Sequence, residues 1–169
     1  MNQKNTTKGY VELFKVSDKT ARNDLKDLEK KNTFTLSAPK KQEYIKMKLV
    51  LLDTNFLMIP YKFGIDIFGE IEKLVEEKYE AVTLSTVVDE LKRIKRGEDK
   101  IAARVALKLI EDNDVRVIES SGVVDSAIID FAENNDAIIC TNDAKLRRYL
   151  QKNDVKTIYM RQKSRLERG

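Results

Sequence analysis

The sequence predicts an α/β protein: a three-layer α/β/α sandwich around a central, mainly parallel sheet of four to five strands, preceded by a small helical N-terminal segment. Three observations lead there. From Met47 onward, short apolar runs alternate with amphipathic stretches of helix length. The runs are continuously apolar, as strands covered on both faces are. Each is separated from the next by enough chain for a helical crossover, the connection that parallel strands require.

Leu49–Leu52 reads as the first strand. A helix follows from Asp66 to Lys78, because Ile67, Ile71, Leu74 and Val75 recur on one face. Ala81–Leu84 is a second strand and Thr86–Lys95 a second helix. Lys100–Glu111 is helical, with Ala102, Val105, Ala106 and Leu109 as its inner stripe. Val115–Ile118 is a third strand, Asp125–Glu133 a helix, and Asp136–Cys140 a fourth strand centred on Ile138 and Ile139. Ala144–Lys152 is helical and Val155–Tyr159 a fifth short strand. Before residue 46 the chain is polar, helical in places, and loose through Asn32–Lys41, which contains Pro39. This divides it into a basic helical segment, 1–46, and an α/β domain, 47–169, with a basic C-terminal tail.

Composition removes whole classes of chemistry. There is no histidine and one cysteine in 169 residues, so Ser–His–Asp and Cys–His catalysis, histidine–zinc sites and intrachain disulfides are all excluded. No stretch approaches the roughly 18 apolar residues of a membrane span, and Met1–Gly9 lacks the apolar centre of a signal peptide. A reducing, cytoplasmic setting and no membrane partner are expected. The net charge of +4 is unevenly spread: residues 1–46 carry 11 basic and 6 acidic residues, and Lys145–Gly169 carries 9 basic and 2 acidic. The acidic body between these ends suits a polyanion held beside a metal-binding centre.

In a parallel sheet, ligands bind outside the carboxyl ends of the strands. Four successive strand ends each deliver an acid there: Asp53 after the first strand, Glu90 in the helix after the second, Asp125 after the third and Asp143 after the fourth. Singly, each aspartate also suits a helix N-cap, and Glu90 a solvated helix face. Together the carboxylates repel one another unless a cation neutralises them. Oxygen-only ligands select Mg²⁺ or Mn²⁺ over zinc. Cys140, inside an apolar strand, reads as a buried small hydrophobe.

These residues resemble a known family. Leu51-Leu52-Asp53-Thr54-Asn55, Asp89-Glu90-Leu91, Asp125 and Thr141-Asn142-Asp143 are similar to the PIN-domain ribonucleases, over Met47 to about Arg165. The phrasing Phe56-Leu57-Met58-Ile59-Pro60, with Ile158-Tyr159-Met160-Arg161, is similar to an archaeal-type branch. That branch is related to the eukaryotic nuclease of small-subunit rRNA processing and includes VapC-like toxins. The resemblance implies an endoribonuclease in which Asp53, Glu90, Asp125 and Asp143 hold one or two metal ions that activate water. Asn55, Thr141 and Asn142 would orient the acids through hydrogen bonds. It also implies an RNA substrate, a homodimer, and an antitoxin or ribosome-assembly partner.

Two rival chemistries on similar sheets fail on the residues. A phosphatase with paired aspartates needs an acid where Asn55 stands, and a phospho-acceptor receiver needs an acidic pair where the first strand ends in one. Lys92, Arg93, Lys95, Arg96 and Lys100 follow Glu90, and Lys145, Arg147 and Arg148 follow Asp143. Both clusters can contact RNA phosphates, or simply form solvated helix faces. Tyr10–Leu28 resembles part of a winged helix-turn-helix, with Ser17 as cap, Ala21, Leu25 and Leu28 inside, and Lys19, Thr20, Arg22 and Asn23 toward a groove. Either this segment guides the domain to a partner, or Met47 marks an ancestral start. DNA is not the expected partner of the chain, and a non-catalytic nucleic-acid-binding regulator is the alternative to the enzyme.

Overall fold

The first apolar run takes the middle of the sheet because every residue from Val50 to Leu52 is fully buried. The computed structural model describes residues 47–169, so the helix-turn-helix expectation for the N-terminal segment lies outside the described residues. The chain forms β1 (Lys48–Leu52), α1 (Thr54–Leu57), α2 (Ile59–Phe63), α3 (Ile67–Leu74), β2 (Tyr79–Leu84), α4 (Ser85–Arg93) and α5 (Gly97–Asp112). It continues through β3 (Arg116–Ile118), α6 (Val124–Asn134), β4 (Ala137–Cys140), α7 (Ala144–Lys152), β5 (Thr157–Arg161) and β6 (Arg165–Arg168).

The strands pair in the order β3-β2-β1-β4-β5-β6. The first five are parallel and β6 runs antiparallel to β5. All four residues of β4 are buried. Consecutive burial requires cover on both sheet faces, the sandwich that the apolar runs predict. Helices also pack on one another, α2 and α4 against α5, and α6 against α7. Ala102, Ala103 and Ala106 are buried in α5, and small side chains there allow close approach. From β1 the chain winds outward through β2 to β3, then returns to β4 on the other side and winds out to β5. The carboxyl end of β1 is therefore the topological switch point, where such sheets hold ligands.

The structure corrects the sequence reading in three places. The sheet has six strands, not four to five, because Arg165–Arg168 is a strand and not a loose basic tail. Leu166 is buried in it while Arg165 and Arg168 face out. The hairpin turn that brings it back places Gln162 and Lys163 at φ of 51° and 54°. That left-handed turn normally advertises itself with Asn, Asp or Gly, and none is present.

Residues 54–63, left unassigned by periodicity, form two short helices. Pro60 sits in the first turn of α2, and Gly64 ends it in the left-handed conformation, which glycine adopts without strain. The α3 helix ends at Leu74 rather than Lys78, with Val75 extended. The following Glu76-Glu77-Lys78 offers no apolar face to continue it. No helix among the described residues is long and apolar enough to cross a membrane.

Candidate active site

Asp53 follows β1 directly, at the switch point. It caps α1, accepting from the Thr54 backbone N–H at 2.6 Å, while its other oxygen accepts from Thr141 Oγ1 at 2.7 Å. Thr141 is fully buried and stands just past β4, the neighbouring strand. Its Oγ1 also accepts from the Asp143 backbone N–H at 3.1 Å. One hydroxyl thus ties the first acid to the loop that carries the fourth.

Asp143 in turn caps α7, and its Oδ1 accepts from Lys145 N and Leu146 N at 2.7 and 2.8 Å. The capping and the site readings of Asp53 and Asp143 are therefore not alternatives. A cap fixes a carboxylate at a helix start, next to the partial positive charge of the helix N-terminus.

Glu90 projects from α4 and accepts a hydrogen bond from Thr54 Oγ1. Glu90 and Asp89 beside it are both exposed. Asp125 is the second residue of α6, whose cap is Val123, so this acid does not cap its helix. The loop before it is clamped to the start of α4. Ser120 N donates to Ser85 Oγ at 2.9 Å, and Thr86 N donates to Ser120 Oγ at 3.2 Å. The helices carrying Glu90 and Asp125 also pack on each other.

Burial pushes Asp53 up from 3.8 to about 6 against the pull of its Thr141 and Thr54 donors, with the charges of Glu90 and Asp125 adding to the rise. The charges of Glu90 and Asp125 thus both reach Asp53, and the Asp143 backbone is tied to it through Thr141. Among the described residues no three carboxylates already close around a single point. Mg²⁺ tolerates this, since it keeps several waters and is held through one or two carboxylates plus substrate phosphates rather than by a closed protein cage. The donor set fits a hard cation on two counts: it is all oxygen, and its central acid has no cationic partner among the described residues. Cys140 competes for no metal, because full burial pushes its thiol well above its ordinary range.

The remaining expected residues fall into two groups. Asn142 Oδ1 accepts from Met160 N at 2.8 Å and so braces the end of β5, not an acid. Asn55 is exposed on α1. Lys92 and Arg93 end α4, Arg96 precedes α5 without a side-chain capping bond, and Lys145, Arg147 and Arg148 lie on the first turns of α7. All but the half-buried Arg147 are exposed. Sequence reasoning passed over Thr54, Ser85 and Ser120. Thr54 stood in the quoted Asp-Thr-Asn, but its partner Glu90 is 36 residues away, and only the fold brings the two together.

Comparison with known proteins gives the family and the fold. A family model described as a PIN-like domain matches residues 50–163. A second, a DeoR-like helix-turn-helix domain, matches residues 2–35, around the expected Tyr10–Leu28 motif. Ribonuclease VapC4 of Methanocaldococcus jannaschii is 34% identical over 127 residues, covering 72% of this chain and 96% of that protein. Ribonuclease VapC9 of Archaeoglobus fulgidus is 32% identical over 124 residues, covering 72% and 89%. A solved structure of the PIN domain endonuclease Utp24 superposes with a TM-score of 0.59 at 20% identity, over 72% of this chain and 92% of that one, a likeness of fold. With a family model spanning well over half its length, and a ribonuclease relative 34% identical over 72% of it, this chain belongs to the PIN-like domain family.

Proposed function

We propose that this chain is a metal-dependent endoribonuclease that hydrolyses RNA phosphodiester bonds at the carboxyl edge of its sheet. The observation that carries this reading is Asp53: a buried carboxylate at the switch point, held by two donors and opposed by the charges of Glu90 and Asp125. A protein that only bound a polyanion would gain nothing from that repulsion. The ribonuclease relatives, matched over nearly their whole length, support it.

Asp53, Glu90, Asp125 and Asp143 would hold Mg²⁺ or Mn²⁺, which supplies an acidified water as nucleophile and neutralises charge on the scissile phosphate. The chain's own work is positioning. Thr54 N and Thr141 Oγ1 leave the Asp53 carboxylate one orientation, Thr54 Oγ1 restrains Glu90, and two helix N–H groups restrain Asp143. Lys92, Arg93 and Arg96 on one flank, with Lys145, Arg147 and Arg148 on the other, supply cationic contacts to the RNA backbone. In this reading residues 47–169 form the nuclease domain and residues 1–46 a separate basic segment, in cytoplasm, with a second copy of the chain as partner. The reaction serves either rRNA maturation, with a ribosome-assembly partner, or a toxin held by an antitoxin. Growth arrest on expression marks the toxin.

Cleavage of a structured RNA with Mg²⁺ or Mn²⁺ tests the chemistry. The intact chain cuts, and Asp53→Asn and Asp143→Asn lose at least about a hundredfold while staying folded, as expected when a group acting on the transition state is removed. Asp143→Asn keeps a residue suited to capping α7, so its loss of activity is not a loss of helix. Absence of cleavage by the intact chain, together with absence of divalent-ion binding by calorimetry, overturns the reading.

A second reading has its own support in the helix-turn-helix match at residues 2–35. The chain would then be a nucleic-acid-binding regulator that docks through Lys19, Thr20, Arg22 and Asn23. Sequence-selective retention of duplex DNA by the intact chain, without any RNA cleavage, favours it.

A further inference from the structure

One cation beside the acid cluster is built differently from the rest. The Arg147 guanidinium lies over the Tyr159 ring, 4.1 Å from its centroid. Tyr159 is the register neighbour of the site. Leu52, Cys140 and Ile158 align across β1, β4 and β5, so the next row is Asp53, Thr141 and Tyr159. The Tyr159 backbone therefore stands two strand spacings, roughly 10 Å, from that of Asp53. Arg147 is one turn into α7 from Asp143, whose carbonyl accepts its backbone N–H at 2.9 Å. The end of β5 is itself fixed, because Met160 N donates to Asn142 Oδ1.

Two arginines on this side of the sheet are already engaged: Arg161 is paired with Glu167, and Arg148 Nε donates to its own helix at Ala144 O. Among the described residues Arg147 has no carboxylate partner. The interaction its guanidinium makes among the described residues is with a ring, and a ring holds a guanidinium by its face while leaving the in-plane N–H edge for a ligand. That edge matches the paired oxygens of a phosphodiester.

We infer that Arg147, shelved on Tyr159, is a phosphate subsite that takes the RNA backbone next to the scissile bond and sets which phosphate enters the acid cluster. This rests on the endoribonuclease reading and adds to it a named contact and a direction, toward the β5 side of the sheet. The shelf is a positioning residue in this scheme: Tyr159 acts through Arg147 and need not touch the RNA.

The test is binding of a single-stranded RNA oligonucleotide to the full-length chain in chelator, where nothing is cut, by fluorescence anisotropy over a range of salt. Arg147→Gln weakens binding about tenfold, the effect of losing one charge-assisted contact, and reduces the salt slope by about 0.7. Arg147→Lys restores the slope but not the affinity, because it keeps the charge and lacks the fork. Tyr159→Phe binds like the unaltered chain, since phenylalanine still offers a ring face, while Tyr159→Leu approaches Arg147→Gln. In cleavage with Mn²⁺, KM rises for Arg147→Gln by more than kcat falls.

If Arg147→Gln binds RNA with unchanged affinity and slope while its melting temperature falls, the pair only pins α7 to β5 and the inference is overturned. Failure of the unaltered chain to bind or cut any RNA is a separate result, which overturns the nuclease reading as well.

Discussion

Asp53 is held where its charged form is costly. A carboxyl raised from 3.8 to about 6 makes the folded state bind more protons than the unfolded state between those values. Stability is therefore greatest below the unfolded value and falls as pH rises through about 6, by about 3 kcal/mol at most. Asp53→Asn removes that cost. In chelator, this variant unfolds at a higher urea midpoint than the unaltered chain at pH 8, and the difference closes by pH 4. Equal midpoints at both pH values would show that Asp53 sits in a solvated, unstrained setting. In the proposed endoribonuclease the same substitution costs at least about a hundredfold in cleavage, so activity and stability are expected to move in opposite directions at this residue.

Among the elements, β6 depends most on contacts that sequence periodicity misses. Its four residues, Arg165-Leu166-Glu167-Arg168, read as a charged tail, yet Leu166 packs into the core and α3 packs against the strand. Leu166→Ala costs about 2–4 kcal/mol in urea unfolding, the usual effect of truncating a buried leucine. A solvated tail would lose almost nothing. The central strands β1 and β4 were legible because burial on both faces forces continuous apolar runs, as in Ile138-Ile139-Cys140. Neither β6 nor the helices at 54–63 obeys that rule. An edge strand needs only alternate residues inside, and a helix of four or five residues is too short to show a period.

At the scale of the whole molecule, winding outward in both directions from β1 brings four acids from distant parts of the chain to one edge. A cation bound there stabilises the fold by mass action, about 2.7 kcal/mol at a hundredfold excess over Kd. Titrating Mg²⁺ or Mn²⁺ into the chelator-treated chain therefore raises its unfolding midpoint at pH 8. The rise is smaller at pH 5, where Asp53 is largely protonated, and is lost in Asp53→Asn. A midpoint that ignores divalent ions at every pH would disconnect the acids from any metal.

The sequence alone determined the α/β class, the parallel strand order of events along the chain, and the four candidate acids. Each of these is a local property: an apolar run, a helical period, or an acid directly after a strand. Only the tertiary structure decided which groups hold those acids. The Thr54–Glu90 bond, the Thr141 hydroxyl between Asp53 and the Asp143 backbone, the Ser85–Ser120 clamp and the Arg147–Tyr159 shelf join residues from different strands and helices. Such partners are set by how neighbouring strands align and where helices land on the sheet. No spacing along the chain encodes that, because strand register and helix placement come from packing the core as a whole.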